Sequence, residues 1–586
     1  MDSTPQNNGN RRVGTNGDIA ARFVMDRWKP KLEKRVGDLE VRVSQATPGT
    51  TPDDLNQSLD PVISLWSERL GLPKPELLFE ESTDLSANEF EIRLAGATRF
   101  AGSFTTSWFD WWAEHPVPGP FGRVGLTMDG TSGGSPPWNP VHQLSRAVEE
   151  VLWDDPGLLL ATTRGVKWAT DSLADMKTEP EAFNGLQVMR ELASRRLPLL
   201  DRGALRHAIE EAAVATEQTA LAELLISQLL PNKILIRLGN GLATAASYTD
   251  PNSQLQATLL PMMRDGLYYE LGIAFGKIEF ENADDLPSFG YQITVNGLPR
   301  GGGTAREKYI FVNTPAKDLT EGDSQPGVNP ANGYLGSWIK GETIEGYAGE
   351  HAGWSQVEYL VLHLSACLRE AAGEFSDLAW TEQTLNQLQT VFPKLVTTVR
   401  AAYPNERLAC VFGRLVSEGF SIRDLPRVLN RLMEFDELAN SALVLDEPDL
   451  PAEVDWSRND PVALTEYVRC GLKDYITHSR TRGSATLEVY LLDSTSIEAG
   501  LQLVMRDKSK KDPIYDFPEA GPFLRNLREA LTKSRALSQN PSLLTTNELR
   551  PHLRRLIAAQ FPRLPVISYQ ELSPVTNILP RERLTL

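Results

Sequence analysis

The feature that most constrains the fold of this chain is a stretch of sequence that occurs twice. Residues 70–96, LGLPKPELLFEESTDLSANEFEIRLAG, align without a gap to residues 271–297, LGIAFGKIEFENADDLPSFGYQITVNG. Apolar residues alternate in both at the same places, as one buried face of a β-strand requires. The residues of the first stretch that recur unchanged in the second are Leu70, Gly71, Phe79, Glu80, Asp84, Leu85, Ile92 and Gly96.

Two further pairs of segments flank this match in the same order. LEVRVS at 39–44 parallels ILIRLG at 234–239, and residues 188–209 parallel residues 411–432 as amphipathic helical sequence. Chance similarity between amphipathic helices could explain the last pair alone, but it does not explain three pairs in one order. The sequence therefore predicts an internal duplication, and each repeat is expected to have a core of its own.

The end of the chain has no counterpart in the first repeat. LLTTNELRPHLRRLIAAQFPRLPVISYQEL, residues 543–572, is typical of a strand, a helix and a second strand. Asn547 is a plausible helix N-cap, and Leu549, Leu553, Leu556 and Ile557 recur at helical spacing. A strand rich in β-branched residues then follows in PVISY. This predicts a compact C-terminal α/β domain over about 483–586, with ATLEVYLL and SLLTT as its other strands.

Five stretches, taken with this ending, resemble the cytoplasmic part of the flagellar and type III secretion export gate, the FHIPEP family. In chain order they are KILIRLGNGLA, MMRDGLYYELG with the strands after it, VNPANGYLGSWI, FSIRDLPRVLNRL and DPVALTEYVRCGLKDYI. The resemblance covers about residues 233–586. It implies an α+β multidomain protein that forms rings and docks chaperone–substrate complexes in a pocket between two of its domains.

The repeat and the resemblance together predict the domain organisation. We expect two tandem copies of an export-gate-like α/β plus helical module, followed by the C-terminal α/β domain. The predicted boundaries are 1–35 for a disordered tail and lead-in helix, 36–216 for a degenerate first copy, 217–231 for a linker helix, 232–372 for an α/β domain with a small inserted domain at about 298–350, 373–482 for a helical domain and 483–586 for the C-terminal domain.

Charge and apolar content exclude several classes of function. The net charge is −18, whereas binding to nucleic acid usually needs a basic face. The two basic clusters, at 506–512 and at Arg550, Arg554 and Arg555, are expected to be a solvated loop and a solvated helix face. We expect no membrane span and no signal peptide. Its three cysteines match no disulfide or zinc spacing, which favours a reducing, cytoplasmic location.

Three glycine-containing stretches imitate catalytic or cofactor motifs. GTSGG at 130–134 fits a nucleophile elbow but precedes SPPWNP, which cannot start the helix that such a serine needs. LGNGLA at 238–243 lacks the third glycine of a dinucleotide loop, and GGG at 301–303 lacks a phosphate-binding lysine. The seven histidines have no metal-ligand spacing, and His363 is expected to be a packing residue. We therefore expect no enzyme activity, no cofactor and no metal.

The candidate partner-binding residues come from two places. In the family, an Asp and a Phe of an Asp-Pro-x-Phe-Gly-Leu element belong to the chaperone pocket; Asn329 and Asn332 stand at those positions here, with Tyr334 just after them. Phe121 is at the equivalent place in the first copy. The aromatic run at 104–122 contains Trp108, Trp111 and Trp112, which are either binding hot spots or part of the first core. Solvated asparagines are expected to contribute little binding energy.

The leading interpretation of the sequence is a non-catalytic cytoplasmic scaffold or adaptor that binds other proteins. The alternative is a soluble subunit of a type III-like secretion apparatus, and an enzyme on a repurposed α/β scaffold is a weaker third reading. Protein partners are expected, nucleic acid and membrane insertion are not, and the resemblance to ring-forming domains makes oligomerisation an option.

Overall fold

The structure of this chain is a computed structural model. The described residues are 38–44, 52–105, 139–173, 179–194, 196, 197, 199, 203, 205, 234–315, 319, 324–331, 335–340, 353–440, 460–481, 484, 486–492, 520–535, 541–562 and 564–584. Helices alternate with four small sheets of four strands each in this part of the chain. The fold is therefore of the mixed α+β type that the sequence predicts.

The first sheet and its helices occupy residues 38–205, called the first module below. The sheet has the order β2-β1-β3-β4. Its elements are β1 (Leu39–Ser44), α1 (Pro52–Leu70), β2 (Leu77–Ser82), β3 (Glu89–Leu94), β4 (Ala97–Ser103), α2 (Pro140–Asp154), a 3-10 turn (Pro156–Ala161), α3 (Thr163–Leu173) and α4 (Glu179–Ser194).

The second module, residues 234–440, begins with a sheet of the order β6-β5-β7-β8. Its elements are β5 (Ile234–Leu238), α5 (Asn240–Ala246), a π-turn (Leu255–Leu259), α6 (Leu260–Leu271), β6 (Ile278–Asn282), β7 (Gly290–Val295) and β8 (Leu298–Thr304). Helix α7 (Gln356–Ala371) then packs on this sheet, and its capping box, Ser355 with Glu358, fixes its start.

The two sheets agree in register as well as in strand order. Strand β1 is parallel to β2 and antiparallel to β3, and β5 has the same relations to β6 and β7. The β3–β4 and β7–β8 pairs each carry one irregularity, after Ile92 and after Ile293, which are equivalent residues of the repeat. Since a one-residue slip would reverse every side chain, the shared register means that the two sheets bury the same faces.

Equivalent contacts also recur outside the strands. The turn glycines Gly71 and Gly272 both have positive φ, of 67° and 80°, and follow α1 and α6. The Leu199 N–H donates to the Leu70 carbonyl (2.7 Å), and the Ile422 N–H donates to the Leu271 carbonyl (3.0 Å). The chain thus makes the same backbone contact after the first helix of both modules.

One arginine occupies the same place in each sheet; it is buried in the first sheet and partly exposed in the second. Arg42 lies 3.3 Å from Glu80 and 3.6 Å from Asp84, and Arg237 lies 3.8 Å from Glu281 and 2.6 Å from Asp285. The hydrogen bond from Arg237 lowers the pKa of the Asp285 carboxyl. Each arginine fastens the first strand of its sheet to the loop that follows the second strand.

A small antiparallel sheet of the order β10-β11-β9-β12 is inserted between β8 and α7. Its strands are β9 (Tyr309–Val312), β10 (Ser324–Val328), β11 (Leu335–Lys340) and β12 (Gly353–Trp354). The predicted start of the inserted domain, at about residue 298, is too early because residues 298–304 form β8 and pair with β7 in the main sheet.

The described residues between 372 and 481 are mainly helical, and a parallel sheet follows them. The helices are α8 (Leu378–Gln389), α9 (Pro393–Ala402), α10 (Asn405–Ser417), α11 (Leu425–Asn440), α12 (Pro461–Gly471) and α13 (Lys473–Thr481). The last sheet, order β15-β14-β13-β16, contains β13 (Thr486–Leu492), β14 (Ser542–Thr545), β15 (Val566–Ser568) and β16 (Asn577–Leu584), with α14 (Ala520–Arg535) and α15 (Arg550–Ile557) between them. We call residues 486–584 the C-terminal unit.

Helix α15 starts later than the sequence predicts. Its first residue is Arg550, with Pro551 in the first turn, so Asn547 is not its N-cap. The Asn547 Oδ1 atom instead accepts a hydrogen bond from Ser568 Oγ (3.3 Å) next to β15. Leu549, Leu553, Leu556 and Ile557 are all buried, so the apolar face that the sequence predicts for this helix is confirmed.

Candidate protein-binding surface

Of the residues predicted to bind partners, the structure describes Asn329. Trp108, Trp111, Trp112, Phe121, Asn332 and Tyr334 lie outside the described residues. Asn329 is only 3% exposed, so the expectation of a solvated side chain is wrong for this residue. Its Nδ2 donates to Asn313 Oδ1 (2.6 Å) and its Oδ1 accepts from the Ala331 amide (2.8 Å). Because both ends of the amide are used internally, Asn329 shapes the loop after β10.

A cluster of aromatic rings packs next to this loop. Phe311 and Trp338 meet edge to face at 5.3 Å, and Tyr359 from α7 lies 4.7 Å from Trp338. The Tyr359 hydroxyl donates to the Val328 carbonyl (2.8 Å), and burial raises its pKa well above the usual range. These rings join the inserted sheet to α7 and are buried, so they serve packing.

Helix α6 of the second module exposes three large apolar side chains. Met262 and Tyr269 are 67% and 68% exposed, and Tyr268 is 45% exposed. Met262 and Tyr269 are seven residues apart on one side of the helix, and a Cβ built on Gly266 between them meets no atom within 4 Å. We call Met262, Gly266, Tyr268 and Tyr269 the α6 face.

The two exposed tyrosines of the α6 face have polar counterparts in the first module. Counting back from Leu70, which is equivalent to Leu271, Ser67 and Glu68 of α1 match Tyr268 and Tyr269, while Pro61 and Leu65 match Met262 and Gly266. In the second module, Arg423 places its guanidinium 5.2 Å from the centre of the Tyr269 ring, which steadies that ring. Exposed aromatic side chains with little entropy to lose are favourable anchors for a protein partner. Sequence reasoning missed them because they interrupt a helix that otherwise looks like ordinary core sequence.

The arginines of α15 do not form the solvated face that the sequence predicts. Arg550 is fully buried, and Arg554 donates to the carbonyls of Phe561 (3.2 Å) and Leu564 (3.0 Å). Arg555 is partly exposed and reaches Asp155 of the first module at 3.8 Å. The prediction fails because helical periodicity identifies a polar face but does not reveal which other domain covers it.

The motifs that imitate catalytic loops have packing roles. A Cβ on Gly239 would come 1.9 Å from the Pro287 carbonyl, and one on Gly241 would come 2.4 Å from Ser288 Oγ. Both glycines therefore let the start of α5 approach the β6–β7 turn. A Cβ on Gly301, in the GGG run of β8, would come 2.7 Å from both His363 and Cys367. The GTSGG stretch lies outside the described residues.

His363, Cys367 and Tyr291 meet in the core between β7, β8 and α7. The Tyr291 hydroxyl lies 2.9 Å from His363 Nδ1, and burial raises the pKa of Tyr291. Cys367, Cys410 and Cys470 are all buried free thiols. The described part of the chain contains no group of three or more His, Cys, Asp or Glu side chains that could hold a metal ion. In the same part, no helix has the length and apolarity needed to cross a membrane.

The FHIPEP family model matches residues 188–577, which is more than half of the chain. This protein belongs to the FHIPEP family. It is 27% identical over 346 residues to low calcium response locus protein D of Yersinia pestis, covering 56% of this chain and 44% of that protein. It is also 27% identical over 298 residues to flagellar biosynthesis protein FlhA of Salmonella typhimurium, covering 50% and 39%.

The FHIPEP chain described here spans less than half the length of these curated relatives. Among solved structures it is similar to the Chlamydia pneumoniae CdsV protein, with a TM-score of 0.52 and 27% identity, over 60% of this chain and 98% of that chain. The same protein in a complex with CdsO gives the same TM-score and identity, over 60% and 97%. The matched part corresponds in extent to one module with the C-terminal unit.

Proposed function

We propose that this protein is a non-catalytic scaffold or adaptor that binds other proteins in the cytoplasm. Membership of the FHIPEP family together with the α6 face carries the proposal, since it is the second module, within the family match, that exposes aromatic residues. Three reduced, buried thiols are typical of proteins from a reducing compartment.

We further propose that the two modules arose by duplication and then divided their roles. The equal strand order, register and turn glycines, and the arginine shared by the first strands of the two sheets, support a common origin. The first module has Ser67 and Glu68 in place of the two tyrosines of the α6 face and contacts the C-terminal unit, which supports a bracing role. The second module is then the partner-binding one.

The test compares two variants of equal solvent exposure. Met262→Ser with Tyr269→Glu makes the α6 face polar, and Tyr269→Glu reproduces Glu68 of α1. Val391→Ser changes a residue that is also 68% exposed but lies after α8. Each tagged protein is purified from its native cell and its partners are identified by mass spectrometry. We expect the double variant to lose a partner that the Val391→Ser control keeps. The same partners in both preparations would refute the α6 face as a binding surface.

A second candidate function is a subunit of a type III-like secretion apparatus. The likeness to CdsV, which has been solved together with CdsO, supports it. The same purification separates the two proposals, because export-machine proteins among the partners favour the apparatus and unrelated proteins favour a repurposed adaptor. Oligomerisation stays a prediction, and light scattering on the purified chain measures it directly.

A further inference from the structure

The C-terminal unit covers the outer edge of β4 in the first module. Gln560 donates from Nε2 to the Ala101 carbonyl (2.9 Å) and accepts at Oε1 from the Ala101 amide (3.2 Å). Arg528 of α14 donates to the same carbonyl (2.9 Å) and to Ser103 Oγ (3.2 Å). Ala101 itself is fully buried in an apolar cluster of the C-terminal unit.

This contact satisfies a sheet edge in the way that another strand would. An edge strand presents unpaired N–H and C=O groups, and proteins cover such edges to prevent unwanted pairing. A single side-chain amide here supplies both the donor and the acceptor that Ala101 needs. Because Gln560 and Arg528 bind mainly backbone atoms, the contact depends on the shape of the strand more than on its side chains.

Strand β8 presents the equivalent edge in the second module. Gly302 pairs with Gln292 as Ala101 pairs with Glu91, so its N–H and C=O also face away from the sheet. Thr304 replaces Ser103 and keeps a hydroxyl. β8 is the last strand of its sheet, and residues 302–304 are half-exposed, whereas Ala101 and Gly102 of β4 are buried.

We propose that the β8 edge at residues 302–304 is a docking site for the C-terminal unit of another FHIPEP-family chain, one that lacks a first module. The C-terminal unit of this chain is already occupied by its own β4. A chain with the extent of CdsV, which aligns over 98% of its length to 60% of this protein, has no first module to occupy that face. The inference rests on the two sheet edges and is independent of the α6 face.

The charges around the two edges differ in a way that bears on the partner. Arg525 lies 2.9 Å from Glu91 and 3.5 Å from Glu89 at the β4 edge. Gly290 and Gln292 occupy the equivalent positions beside β8. The β8 edge can therefore form the hydrogen bonds to backbone atoms, but the positions equivalent to Glu89 and Glu91 have no carboxylate to pair with an arginine at position 525. The contact at β8 is therefore expected to depend on the backbone hydrogen bonds and to be weaker than the contact at β4.

The test releases the C-terminal unit of this chain and uses it as the probe. Ala101→Pro with Ser103→Arg removes the amide that Gln560 binds and repels Arg528, and proline is tolerated where an edge N–H points outward. Circular dichroism checks folding, and hydrogen exchange at β4 checks release. If this variant does not fold, Glu89→Arg, which repels Arg525 at a half-buried site, replaces it.

Sedimentation over a range of concentrations then reports docking between chains. We expect the released protein to self-associate, Gly302→Pro in that background to weaken the association by about tenfold or more through loss of the edge hydrogen bond, and Gly302→Ala to preserve it. A released chain that stays monomeric throughout would overturn the proposal. Association that survives Gly302→Pro would overturn it as well.

Discussion

Arg550 binds Glu418 through both terminal nitrogens of its guanidinium, at 2.6 and 3.3 Å. The arginine belongs to α15 of the C-terminal unit, and the glutamate follows α10 of the helical segment. Arg469 adds a second contact to the same carboxylate at 3.0 Å and pairs with Glu571, while Glu466 pairs with Arg550. Two arginines and three glutamates thus form one buried cluster of ion pairs where the helical segment meets the C-terminal unit.

Replacing Arg550 by methionine should destabilise the protein strongly. The change keeps much of the side-chain volume but leaves Glu418 and Glu466 buried with one cation fewer, which costs about 3–5 kcal/mol in similar buried pairs. Urea denaturation gives the free energy of unfolding. Arg555→Met, on the same helix but partly exposed, is the control and should change it by less than about 0.5 kcal/mol. Equal effects of the two substitutions would contradict this role for Arg550.

The same cluster predicts a pH dependence of stability. Burial opposes ionisation of Glu418, but the guanidinium groups of Arg550 and Arg469 outweigh it and hold the pKa of Glu418 well below its usual range. At Glu418 the folded state therefore binds fewer protons than the unfolded state, so the stabilisation from this residue is complete above its unfolded pKa and is lost as the pH falls towards its folded pKa. Burial acts the other way at Glu466 and raises its pKa, so the Glu418→Gln variant is needed to isolate the effect of Glu418.

We accordingly expect stability to decline below about pH 4.5, where an unfolded glutamate takes up its proton. Glu418→Gln should lower stability at neutral pH and flatten this acid limb of the curve. Denaturation curves measured from pH 3 to pH 7 on both proteins test it. Parallel curves would mean that Glu418 does not titrate differently in the two states.

Leu553→Asp tests the buried face of α15. Leu553 is fully buried, so the change removes a core side chain and introduces an unpaired charge. The cost is about 2–5 kcal/mol for the lost packing, with a further penalty for the charge. Leu579→Asp on β16, where the side chain is 40% exposed, is the control. An unchanged melting temperature for Leu553→Asp would show that the helix face is wrongly assigned.

A pair of glycines tests the equivalence of the two modules. A Cβ on Gly157 or on Gly373 would come 2.1 Å from the hydroxyl of Ser194 or Ser417 respectively. Alanine at either position should destabilise the protein by about 1–3 kcal/mol through overpacking. Gly266→Ala, in open space on α6, should instead stabilise it by up to about 1 kcal/mol. A neutral effect at one of the paired sites would break the equivalence.

Trp111 and Trp112 are still predicted to bind a partner, and a double substitution tests this prediction. Trp111 and Trp112 are changed together to alanine, folding is checked by circular dichroism, and the native partners are recovered again. Loss of a partner with the fold intact would support a binding surface, since aromatic anchors are worth about 2 kcal/mol or more. Unfolding would mean that they belong to the core, and an unchanged partner list would rule the surface out.

Several features of the structure follow directly from the local pattern of apolar residues in the sequence. Alternating apolar residues predict β3 and β7, whose buried residues include Phe90, Ile92, Tyr291 and Ile293. The family resemblance is confirmed by the family match, because it rests on several motifs in a fixed order. The predictions for Asn329 and Arg550 are wrong, because both side chains were expected in solvent and both are buried.

What the sequence alone determined is therefore the local structure and the family. Hydrophobic periodicity and turn glycines reflect interactions between residues that are close in the chain, and the repeat is found by comparing two stretches of sequence. All three features can therefore be recognised without knowing the fold. Only the tertiary structure decided that Arg550 meets Glu418 and that Gln560 covers Ala101, contacts between residues far apart in the chain. Burial of a polar group depends on which surface arrives opposite it, and no periodicity within its own helix or strand carries that information.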